Sequence, residues 1–427
     1  MLQGKTVLLG ISGGIAAYKM ANVARMLKKL HCQVHVLMTE NATNFITATT
    51  FETLTGNKCL IDTFDRNFEF SVEHVALAKQ ADLVLLAPAT ANLVGKIAGG
   101  IADDMLTTTV MACTCKILLA PAMNHNMYHN PIVQDNLQKL QKFGYFVIPP
   151  THGMLANGDL GDGKLPSEET LVEYVKRELA YEKDLQGKKI LVTAGATQEA
   201  IDPVRYITNH STGKMGYSLA RQAMLRGAQV TLVSGVTSLE PPMFTEMVPV
   251  VSAEEMYQEV MARASVADII IKAAAVADYR PTEVAVDKIK KSEGTPLIEL
   301  ERTRDILGEL GSRKEKGELN AFLCGFSMET RDLEENSRAK LARKHLDMVA
   351  ANNLKVEGAG FGTDTNVITL ITADKTRHLQ KMMKAQAADK ILDAIVEEMA
   401  QQTGRRTGTG SDNRQADVQE LGAIIDR

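Results

Sequence analysis

Two turns in the sequence combine glycine with small polar residues in a way that suits phosphate binding. The first, Ser12-Gly13-Gly14, follows the apolar run Thr6 to Ile11 and precedes a helix-like pattern. Glycine lets the backbone approach an anion, and a helix N-terminus offers the anion N–H groups and a favourable dipole. The turn is not a GxGxxG sequence, and an ordinary strand-to-helix turn would also explain it.

The second turn, Arg205 to Lys214, reads RYITNHSTGK and also precedes a helix-like pattern. Its arginine, hydroxyls and Asn209 suit an anionic ligand, although GxxxxGK[ST] is absent and a solvated loop would look similar. Asp278 follows a later apolar strand, and lysines stand at 288, 290 and 291. These residues could serve a nucleotide triphosphate with Mg²⁺, but a lysine run is equally typical of a solvated face.

Further polar residues stand near the ends of predicted strands. The turn Ala87 to Asn92 (APATAN) leaves room for a flat ring after the third strand, Asn124 follows the fourth, and His74 precedes the third. Each has an ordinary alternative: Thr90 as a helix N-cap, Asn124 as a turn residue, and His74 as a structural or solvated histidine. Ligands of open α/β sheets bind beyond the carboxyl ends of the strands, so we expect these residues to converge at one edge.

Short apolar runs alternate with longer helical patterns, which is typical of parallel sheets covered on both faces. The fold class is therefore α/β, and five strands make the first half a doubly wound domain. The strands predicted for that half are Thr6–Ile11, Gln33–Met38, Leu83–Ala87, Ile117–Ala120 and Tyr145–Ile148. Those predicted for the second half are Ile190–Ala194, Gln229–Val233, Asp268–Ile271, Ala321–Phe326, Met348–Ala351 and Val367–Ile371. The predicted helices include Ile15–Leu30, Pro131–Phe143, Ser167–Glu182, Ser252–Ala264, Asp332–Lys344 and His378–Ala400.

Composition and loop patterns divide the chain into domains at 1–186 and 187–400, followed by a tail at 401–427 that we expect to be disordered. The stretch Thr151 to Pro166 is so rich in glycine that it predicts a mobile or tightly turned flap without a regular element. The polar, lysine-rich stretch from Asp278 to Leu300 predicts a lid.

Composition also excludes several classes of function. Of the 427 residues, 45% are hydrophobic and 23% charged, and the net charge of −4 disfavours nucleic acid or acidic membranes as partners. The five scattered cysteines lack a zinc-binding pattern and indicate reduced thiols. No apolar run is long enough for a membrane span. We expect a cytoplasmic protein.

The order of motifs resembles the bifunctional proteins of coenzyme A biosynthesis, in which phosphopantothenoylcysteine decarboxylase is joined to phosphopantothenate–cysteine ligase. The resemblance runs from about Gly4 to about Ala400. No other family known to us has these motifs in this order across two domains. The motifs are SGGIAAYK (12–19), APATANL (87–93), PAMN (121–124), DPVRYITNHSTGKMG (202–216), AAAVADY (273–279) and KIKK (288–291).

For the N-terminal domain, the resemblance implies a flavodoxin-like decarboxylase that uses FMN. His74 is then similar to the family's active-site base and Asn124 to its substrate-carboxylate contact. In the chemistry implied, the flavin takes electrons from the thiol end of 4′-phosphopantothenoylcysteine and returns them to the enethiol after CO₂ is lost. The residues implied to meet the phosphate or the flavin are Ser12, Gly13, Gly14, Thr39, Ala89, Thr90, Asn92, Thr107 and Thr108.

One position departs from the family pattern. The flap of the family reads A-C-G-D-x-G, and its cysteine donates the proton in the last reductive step, but this chain has Asn157 at that place. An amide is not a competent acid near neutral pH. We therefore expect oxidation and decarboxylation to proceed and reduction of the enethiol to be impaired. The ordinary alternative is that Asn157-Gly158 simply forms a turn.

For the C-terminal domain, the resemblance implies a Rossmann-like ligase that activates 4′-phosphopantothenate with CTP and Mg²⁺ as an acyl-cytidylate, which the amine of cysteine attacks. Arg205 and Asn209 would hold the acyl group, and Lys288 would stabilise charge on the triphosphate. No metal ligands can be assigned from the sequence. The implied nucleotide contacts are Ala273, Ala274, Ala275, Asp278, Lys288, Thr303, Arg304, Asp305, Ile306, Phe326, Lys340 and Lys344.

The resemblance also implies a homo-oligomer with decarboxylase trimers and ligase dimers, plausibly a dodecamer. Two rival functions remain at this stage. In one, the N-terminal domain is a non-catalytic flavin-binding or regulatory partner of an active ligase. In the other, the chain is a nicotinamide-dependent oxidoreductase, which the absence of a GxGxxG turn disfavours.

Overall fold

The computed structural model describes residues 1–63, 73–290, 297–329, 331–353 and 362–402. The chain divides into two compact units, Met1–Glu182 and Lys183–Arg427, which are described separately. Lys291 and the tail from 403 onwards, for which we predicted a phosphate contact and disorder, lie outside the described residues. No helix within the described ranges is both long and apolar enough to cross a membrane.

The first unit is built on a five-stranded parallel sheet in the order β2-β1-β3-β4-β5. This is the flavodoxin-like order, in which the chain reverses its direction of winding between β1 and β3. The predicted doubly wound α/β fold is confirmed. The strands are β1 (Thr6–Ile11), β2 (Gln33–Met38), β3 (Leu83–Ala89), β4 (Lys116–Pro121) and β5 (Phe146–Val147).

Helices cover both faces of this sheet. Buried residues of α1, such as Met20 and Leu27, pack on one face, and Leu93 and Val94 of α4 pack on the other. The prediction of one helix over 15–30 was wrong at its start, where Ile15–Lys19 forms a 3-10 turn and Ile15 is 57% exposed. The helices are α1 (Met20–Lys29), α2 (Ala48–Thr55), α3 (Glu73–Gln80), α4 (Ala91–Gly99), α5 (Met105–Ala112), α6 (His125–Tyr128), α7 (Pro131–Lys142) and α8 (Glu168–Leu179).

The glycine-rich flap is a regular β-hairpin, so the prediction that it lacks regular structure was wrong. Its strands β6 (Thr151–Met154) and β7 (Leu160–Lys164) pair antiparallel. One glycine allows the turn at the tip of the hairpin, and two others allow the backbone of β7 to lie close to neighbouring residues. Gly158 has φ +86°, and a Cβ on Gly163 would lie 2.3 Å from the carbonyl oxygen of Met123. The many glycines thus mark tight packing around a hairpin.

The second unit contains an eight-stranded sheet in the order β12-β11-β8-β13-β16-β17-β19-β20. The strands from β12 to β17 are parallel, whereas β19 and β20 add antiparallel at one edge. The predicted Rossmann-like α/β fold is confirmed, with this antiparallel edge as an addition. The strands are β8 (Lys189–Ala194), β9 (Gln198–Ala200), β10 (Tyr206–Thr208), β11 (Gln229–Ser234), β12 (Glu246–Pro249), β13 (Ile269–Lys272), β14 (Tyr279–Pro281), β15 (Leu300–Arg302), β16 (Phe322–Glu329), β17 (Met348–Asn353), β18 (Thr365–Asn366), β19 (Ile368–Ile371), β20 (Thr376–His378) and β21 (Met382–Met383).

Two predictions for this unit need adjustment. The last helix begins at 384 and not near 378, because Thr376–His378 pairs with β19. The predicted lid is closed at its base, since β14 pairs with β15. The helices are α9 (Lys214–Leu225), α10 (Ala253–Ala264), α11 (Ile306–Glu315), α12 (Leu333–Arg343) and α13 (384–402).

Candidate functional sites in the two units

The first unit has a cavity of about 1180 Å³ at the carboxyl ends of β1 and β3. These are the neighbouring strands between which the winding reverses, and ligands of doubly wound sheets bind at that place. The cavity brings together sequence-predicted residues from five separate segments of the chain. They are Ser12, Gly13, Gly14, Thr39, Thr90, Asn92, Asn124 and Asn157.

Ser12 ties the two strand-end turns together. Its hydroxyl donates to the carbonyl of Pro88 at 2.7 Å and accepts the N–H of Thr90 at 2.9 Å. Thr90 in turn caps α4 by accepting the N–H of Leu93. The Ser12 hydroxyl also lies 3.1 Å from the Thr90 hydroxyl, so two protein acceptors surround its single proton. The Ser12 side chain thus orders the turn.

The Gly13–Gly14 backbone forms a cradle that a side chain would fill. A Cβ on Gly13 would lie 2.6 Å from the Cβ of Asn41 and 2.9 Å from its carbonyl carbon. Among the described residues, the N–H groups of Gly13 and Gly14 have no hydrogen-bond partner. Two free N–H donors in a glycine turn before a 3-10 turn suit an anion such as a phosphate.

Thr39 supplies a further unsatisfied group. Its Oγ1 atom is buried and has no hydrogen-bond partner within the described part of the chain. Thr39 follows β2 and lines the same cavity. A buried hydroxyl without a partner is costly and uncommon, so a polar ligand atom is the natural partner for it.

Asn124 and Asn157 both have local hydrogen bonds. Asn124 caps α6 by accepting the N–H of Asn126 at 2.9 Å. At the exposed tip of the flap, Asn157 Oδ1 accepts the N–H of Asp159 at 3.3 Å, and Asn157 Nδ2 donates to Asp159 Oδ2 at 2.5 Å. The turn role of Asn157 considered from the sequence is thus realised while the side chain lines the cavity.

Four predicted residues of this unit do not line the cavity. His74 lies on α3, half-buried, and Ala89 is buried at the end of β3. Thr107 is buried and forms a capping box with Asp104, which itself lines the cavity. Thr108 donates to the carbonyl of Ala102 at 3.3 Å.

The second unit has a polar cavity of about 460 Å³ at the carboxyl ends of β13 and β16. Thr303 fixes one wall by donating to the carbonyl of Ala277 at 2.6 Å. Asp305 caps α11 and pairs with Lys344 at 2.8 Å, while Lys340 donates to the carbonyl of Phe326. The predicted residues that line this cavity are Ala274, Asp278, Thr303, Arg304, Asp305, Ile306, Phe326, Lys340 and Lys344.

The other predicted residues of this unit lie outside that lining. They are Ala273, Ala275, Arg205, Asn209 and Lys288. Asn209 is linked to the segment that follows β13, because its Nδ2 donates to the carbonyl of Ala275 at 3.3 Å. Lys288 is exposed on the predicted lid.

A buried carboxylate, Asp202, connects the Arg205 turn to the lid. It accepts the N–H groups of Val204 and Arg205 at 2.8 Å each and that of Ile289 at 3.2 Å. The Arg205 guanidinium also binds this carboxylate and donates to the carbonyl of Ile289 at 3.1 Å. Arg205 above all, with the three N–H groups, holds the pKa of Asp202 well below its usual range.

Comparison with known proteins agrees with this division into two units. The family profile described as "Flavoprotein" matches residues 1–180, and that described as "DNA/pantothenate metabolism flavoprotein C-terminal domain" matches residues 185–399. The coenzyme A biosynthesis bifunctional protein CoaBC of Bacillus subtilis is 45% identical over 95% of this chain and 100% of its own length.

The chain belongs to the CoaBC family of bifunctional coenzyme A biosynthesis proteins. The CoaBC protein of Mycobacterium bovis is likewise 44% identical over 92% of this chain and 96% of its own length. A crystal structure of a CoaBC C-terminal domain covers 52% of this chain and all of that domain, at 41% identity and a TM-score of 0.44. Members of the CoaBC family are enzymes that combine the ligase and decarboxylase activities, so the family implied by the motifs is confirmed.

The CoaBC motifs did not point to Lys272, which is the most unusual charge in the ligase cavity. It ends β13, is only 8% exposed and lines the cavity. Its side-chain amine has no hydrogen-bond or ion-pair partner among the described residues. Burial first, and then Lys340, lower the pKa of its amine to about 7, although Asp305 partly opposes them. Its signal in the sequence is a charge at the end of an otherwise apolar strand, IIIK.

A second feature absent from the CoaBC motifs lies at the rim of the first cavity. Lys96 of α4 pairs with Asp103 at 2.7 Å and Asp104 at 3.1 Å, and all three line the cavity. The pKa of the Lys96 amine is raised, first by the hydrogen bond to Asp103. In the sequence, these residues look like an ordinary exposed ion pair.

Proposed function

We propose that the chain makes 4′-phosphopantetheine in two consecutive reactions. The ligase unit joins cysteine to 4′-phosphopantothenate with consumption of CTP, through an acyl-cytidylate. The flavoprotein unit then decarboxylates the product with FMN. The observation that carries this proposal is that each unit has its own cavity at the carboxyl ends of its sheet. Each cavity is lined by a side chain without a partner among the described residues, Thr39 in the first and Lys272 in the second.

The first cavity fits FMN. The N–H groups of Gly13 and Gly14 suit its phosphate, and the orphan hydroxyl of Thr39 suits a polar atom of the ligand. Thr90 and Asn92 lie where the flat ring would need small neighbours. When bound, FMN supplies reversible two-electron redox chemistry.

The remaining predicted flavin residues act more indirectly in this proposal. Ser12 positions the phosphate turn through its hydrogen bonds to Pro88 and Thr90. Thr107 holds Asp104 at the cavity wall through the capping box, and Ala89 and Thr108 support the same wall.

Asn124 and His74 are proposed for the chemistry of decarboxylation. Asn124 lines the cavity and offers its amide to the substrate carboxylate. His74 lies outside the lining described for this cavity, so its role as the base needs its own test. His74→Gln should retain the flavin, because no cavity residue changes, and lose decarboxylation. Retained decarboxylation would remove His74 from the mechanism.

Asn157 is proposed to block the last step. The flap reaches the cavity with this residue, but an amide has no proton to give near neutral pH. Oxidation and loss of CO₂ need no acid on the flap, whereas reduction of the enethiol does. General acid catalysis contributes about 10²–10⁴-fold, so release of the reduced product should be slower by that order.

The test is a comparison of the wild-type chain with Asn157→Cys. Both are given phosphopantothenoylcysteine, and CO₂ and released phosphopantetheine are followed separately. The wild type should release about one CO₂ per flavin and little reduced product, and the cysteine variant should turn over. Asn157→Ser is the matched control, because serine fits the turn but remains a weak acid. Equal turnover by wild type and Asn157→Cys would refute the flap proposal.

A second candidate function follows from the hydrogen bonds of Asn157 to Asp159, which close the flap tip without any chemistry. In that case the flavoprotein unit is a non-catalytic flavin-binding or regulatory domain attached to an active ligase. Absence of any CO₂ burst from FMN-loaded wild type, together with normal ligation, would favour this function.

The ligase cavity suits the triphosphate of CTP. Lys272, Lys340 and Lys344 place three amines around one space, and the Lys272 amine has no counter-ion among the described residues. Mg²⁺ would bind with the nucleotide and accept oxygen ligands. Asp278 is an exposed carboxylate of the lining, whereas the other exposed carboxylate, Asp305, is paired with Lys344. Ala273, Ala275 and Thr303 to Ile306 belong to the nucleotide-binding walls in this proposal.

The acyl group of 4′-phosphopantothenate would lie beside this cavity. Asn209 is bound to the backbone at Ala275, and Asp202 connects Arg205 to the lid next to Lys288. This arrangement supports Arg205 and Asn209 as groups that hold the acyl-cytidylate, with Lys288 stabilising charge that develops on the phosphates.

The ligase test uses full-length protein with CTP, Mg²⁺, cysteine and 4′-phosphopantothenate. Asn209→Ala should stop formation of phosphopantothenoylcysteine, whereas Lys288→Gln should slow formation of pyrophosphate. Lys316→Gln, an exposed lysine outside both cavities, is the matched control. No ligation by the wild type would overturn the proposal. Light scattering on the same samples tests the proposed homo-oligomer of decarboxylase trimers and ligase dimers.

A further inference from the structure

Three histidines and one aspartate form a cluster at the base of the flap. His125 begins α6 and His129 follows its last residue, whereas His152 lies in β6 and Asp162 in β7. His129 Nε2 is 2.9 Å from one carboxylate oxygen of Asp162, and His152 Nδ1 is 3.0 Å from the other. None of the four lines the FMN cavity, so the cluster is separate from the site described above.

Strand β7 packs directly on the His125 ring. The N–H of Asp162 donates to His125 Nδ1 at 3.1 Å, and a Cβ on Gly161 would lie only 2.7 Å from that same nitrogen. The rings of His125 and His129 are 4.5 Å apart between centroids. As a result, one ligand atom each from His125, His129 and Asp162 lies within 4.8 Å of the others.

We propose that His125, His129 and Asp162 bind a divalent transition metal ion of the zinc class, with His152 positioning the carboxylate. Imidazole nitrogen and carboxylate oxygen bind Zn²⁺ at about 2.0–2.2 Å, which separates tetrahedral ligands by about 3.3 Å. The observed separations need adjustments of about 1.5 Å or less to reach that geometry, which side-chain rotation provides. His129 and Asp162 are 49% and 38% exposed, so the ion can enter from solvent.

Binding exchanges hydrogen bonds for metal bonds. The proton that now lies between His129 Nε2 and Asp162 moves to the other ring nitrogen or leaves to solvent, because the metal needs the lone pair. His125 likewise gives up the N–H of Asp162. His152 keeps its hydrogen bond to the second carboxylate oxygen, which is the outer support that metal-binding carboxylates commonly have.

The ion would fasten the flap at its base. Helix α6 starts directly after Asn124, and β7 leads back from the tip that carries Asn157. A metal ion bound by residues of both α6 and β7 would therefore restrict the movement of the flap tip with Asn157 relative to Asn124. We expect the loaded protein to hold the flap closed for longer than the metal-free protein.

The test titrates metal-free full-length protein with Co²⁺ and records visible d–d absorption, then displaces the ion with Zn²⁺ in competition with a chromophoric chelator. One ion per chain should bind at micromolar concentration. His129→Gln and Asp162→Asn should each weaken binding by about tenfold or more. His378→Gln is the matched control, since His378 also faces a carboxylate, Glu334 at 3.5 Å, outside the cluster.

The second readout is protease cleavage at the flap tip, residues 155–160, which Zn²⁺ should slow in the wild type and in His378→Gln but not in His129→Gln. Circular dichroism confirms that each variant is folded. Undiminished Co²⁺ binding in His129→Gln, a thiolate-to-cobalt charge-transfer band, or no binding at micromolar metal would each overturn the proposal. The charge-transfer band would identify a cysteine site such as Cys113 and Cys115.

Discussion

Replacing Lys272 by methionine should make the ligase unit more stable and its binding of CTP weaker. Lys272 is a buried amine without a counter-ion among the described residues. It faces Lys340 of α12, Lys344 directly after that helix, Asp305 at the start of α11 and Asp278 after β13. Its charge is unfavourable until a polyanion arrives. Methionine keeps the length and the apolar stem of the side chain and removes only the charge.

The magnitude follows from the pKa of Lys272, which is about 7 in the folded protein against an ordinary value of 10.5. Between these two values the unfolded chain binds more protons, so the free energy of unfolding of the wild type rises with pH from 7 to 10.5. One pH unit in this window is worth about 1.4 kcal/mol. The ionisation of Lys272 alone should therefore make the free energy of unfolding of Lys272→Met higher than that of the wild type. The difference is about 3 kcal/mol at pH 8 and about 1 kcal/mol at pH 10.

Urea unfolding of wild type and Lys272→Met at pH 8, 9 and 10 measures this difference. The unfolding transition of the ligase unit is identified as the one whose urea midpoint rises when CTP is added. Calorimetry in buffers of different ionisation enthalpy measures the second effect. At pH 8 the wild type should take up roughly 0.9 proton on binding CTP and the variant none. Affinity should fall about 10–100-fold, the effect of one lost charged contact. A stability difference that is the same at pH 8 and 10, or CTP binding without proton uptake, would refute the reasoning.

Three further predictions concern single contacts. Gly13→Ala should destabilise the first unit by about 1–3 kcal/mol and reduce the amount of bound FMN, because the added Cβ would lie 2.6 Å from Asn41. Thermal melting and flavin absorbance measure the two effects. Gly95→Ala is the control, because a Cβ there would have no atom within 4 Å. Thr39→Val should lower the affinity for FMN about fivefold in a fluorescence titration and leave the FMN-free protein no less stable. An unchanged affinity would contradict the role proposed for the hydroxyl. Asp202→Asn should lower the kcat of ligation at least tenfold, because Arg205 loses its carboxylate partner. Decarboxylation of added phosphopantothenoylcysteine should stay unchanged. A loss of both activities would instead indicate misfolding.

The sheets could be predicted well because buried parallel strands are continuous apolar runs. β1 and β2 begin and end at the predicted residues, and the other predicted strands differ by a few residues at their ends. The strands that escaped prediction are short and partly exposed, such as β9, β10 and β12. They have no apolar run of their own, and backbone pairing with a neighbour is what orders them.

The sites were predictable only where a residue type already suggests chemistry. Ser12, Gly13 and Gly14 could be identified from a strand-to-helix turn, but the hydrogen bond of the Ser12 hydroxyl to Pro88 depends on a contact 76 positions away. Lys272 was missed because burial and the absence of a partner are properties of the folded sheet. The flap shows the opposite error, because glycines that permit close packing look in the sequence like glycines that permit disorder.

Hydrogen bonds of Ile201 and Asp202 fix the length of one segment of the lid in this chain. The Asp202 carboxylate holds the N–H of Ile289, and four residues earlier the N–H of Ala285 donates to the carbonyl of Ile201 at 3.1 Å. The segment from 285 to 289 is thus fixed at both ends to the turn before Arg205. Inserting or deleting one residue between 285 and 289 would shift Lys288 relative to Arg205. Changes of length beyond Ile289 would leave both hydrogen bonds, and so the position of Lys288, unchanged. Homologous lids should therefore differ in length after this point and agree before it.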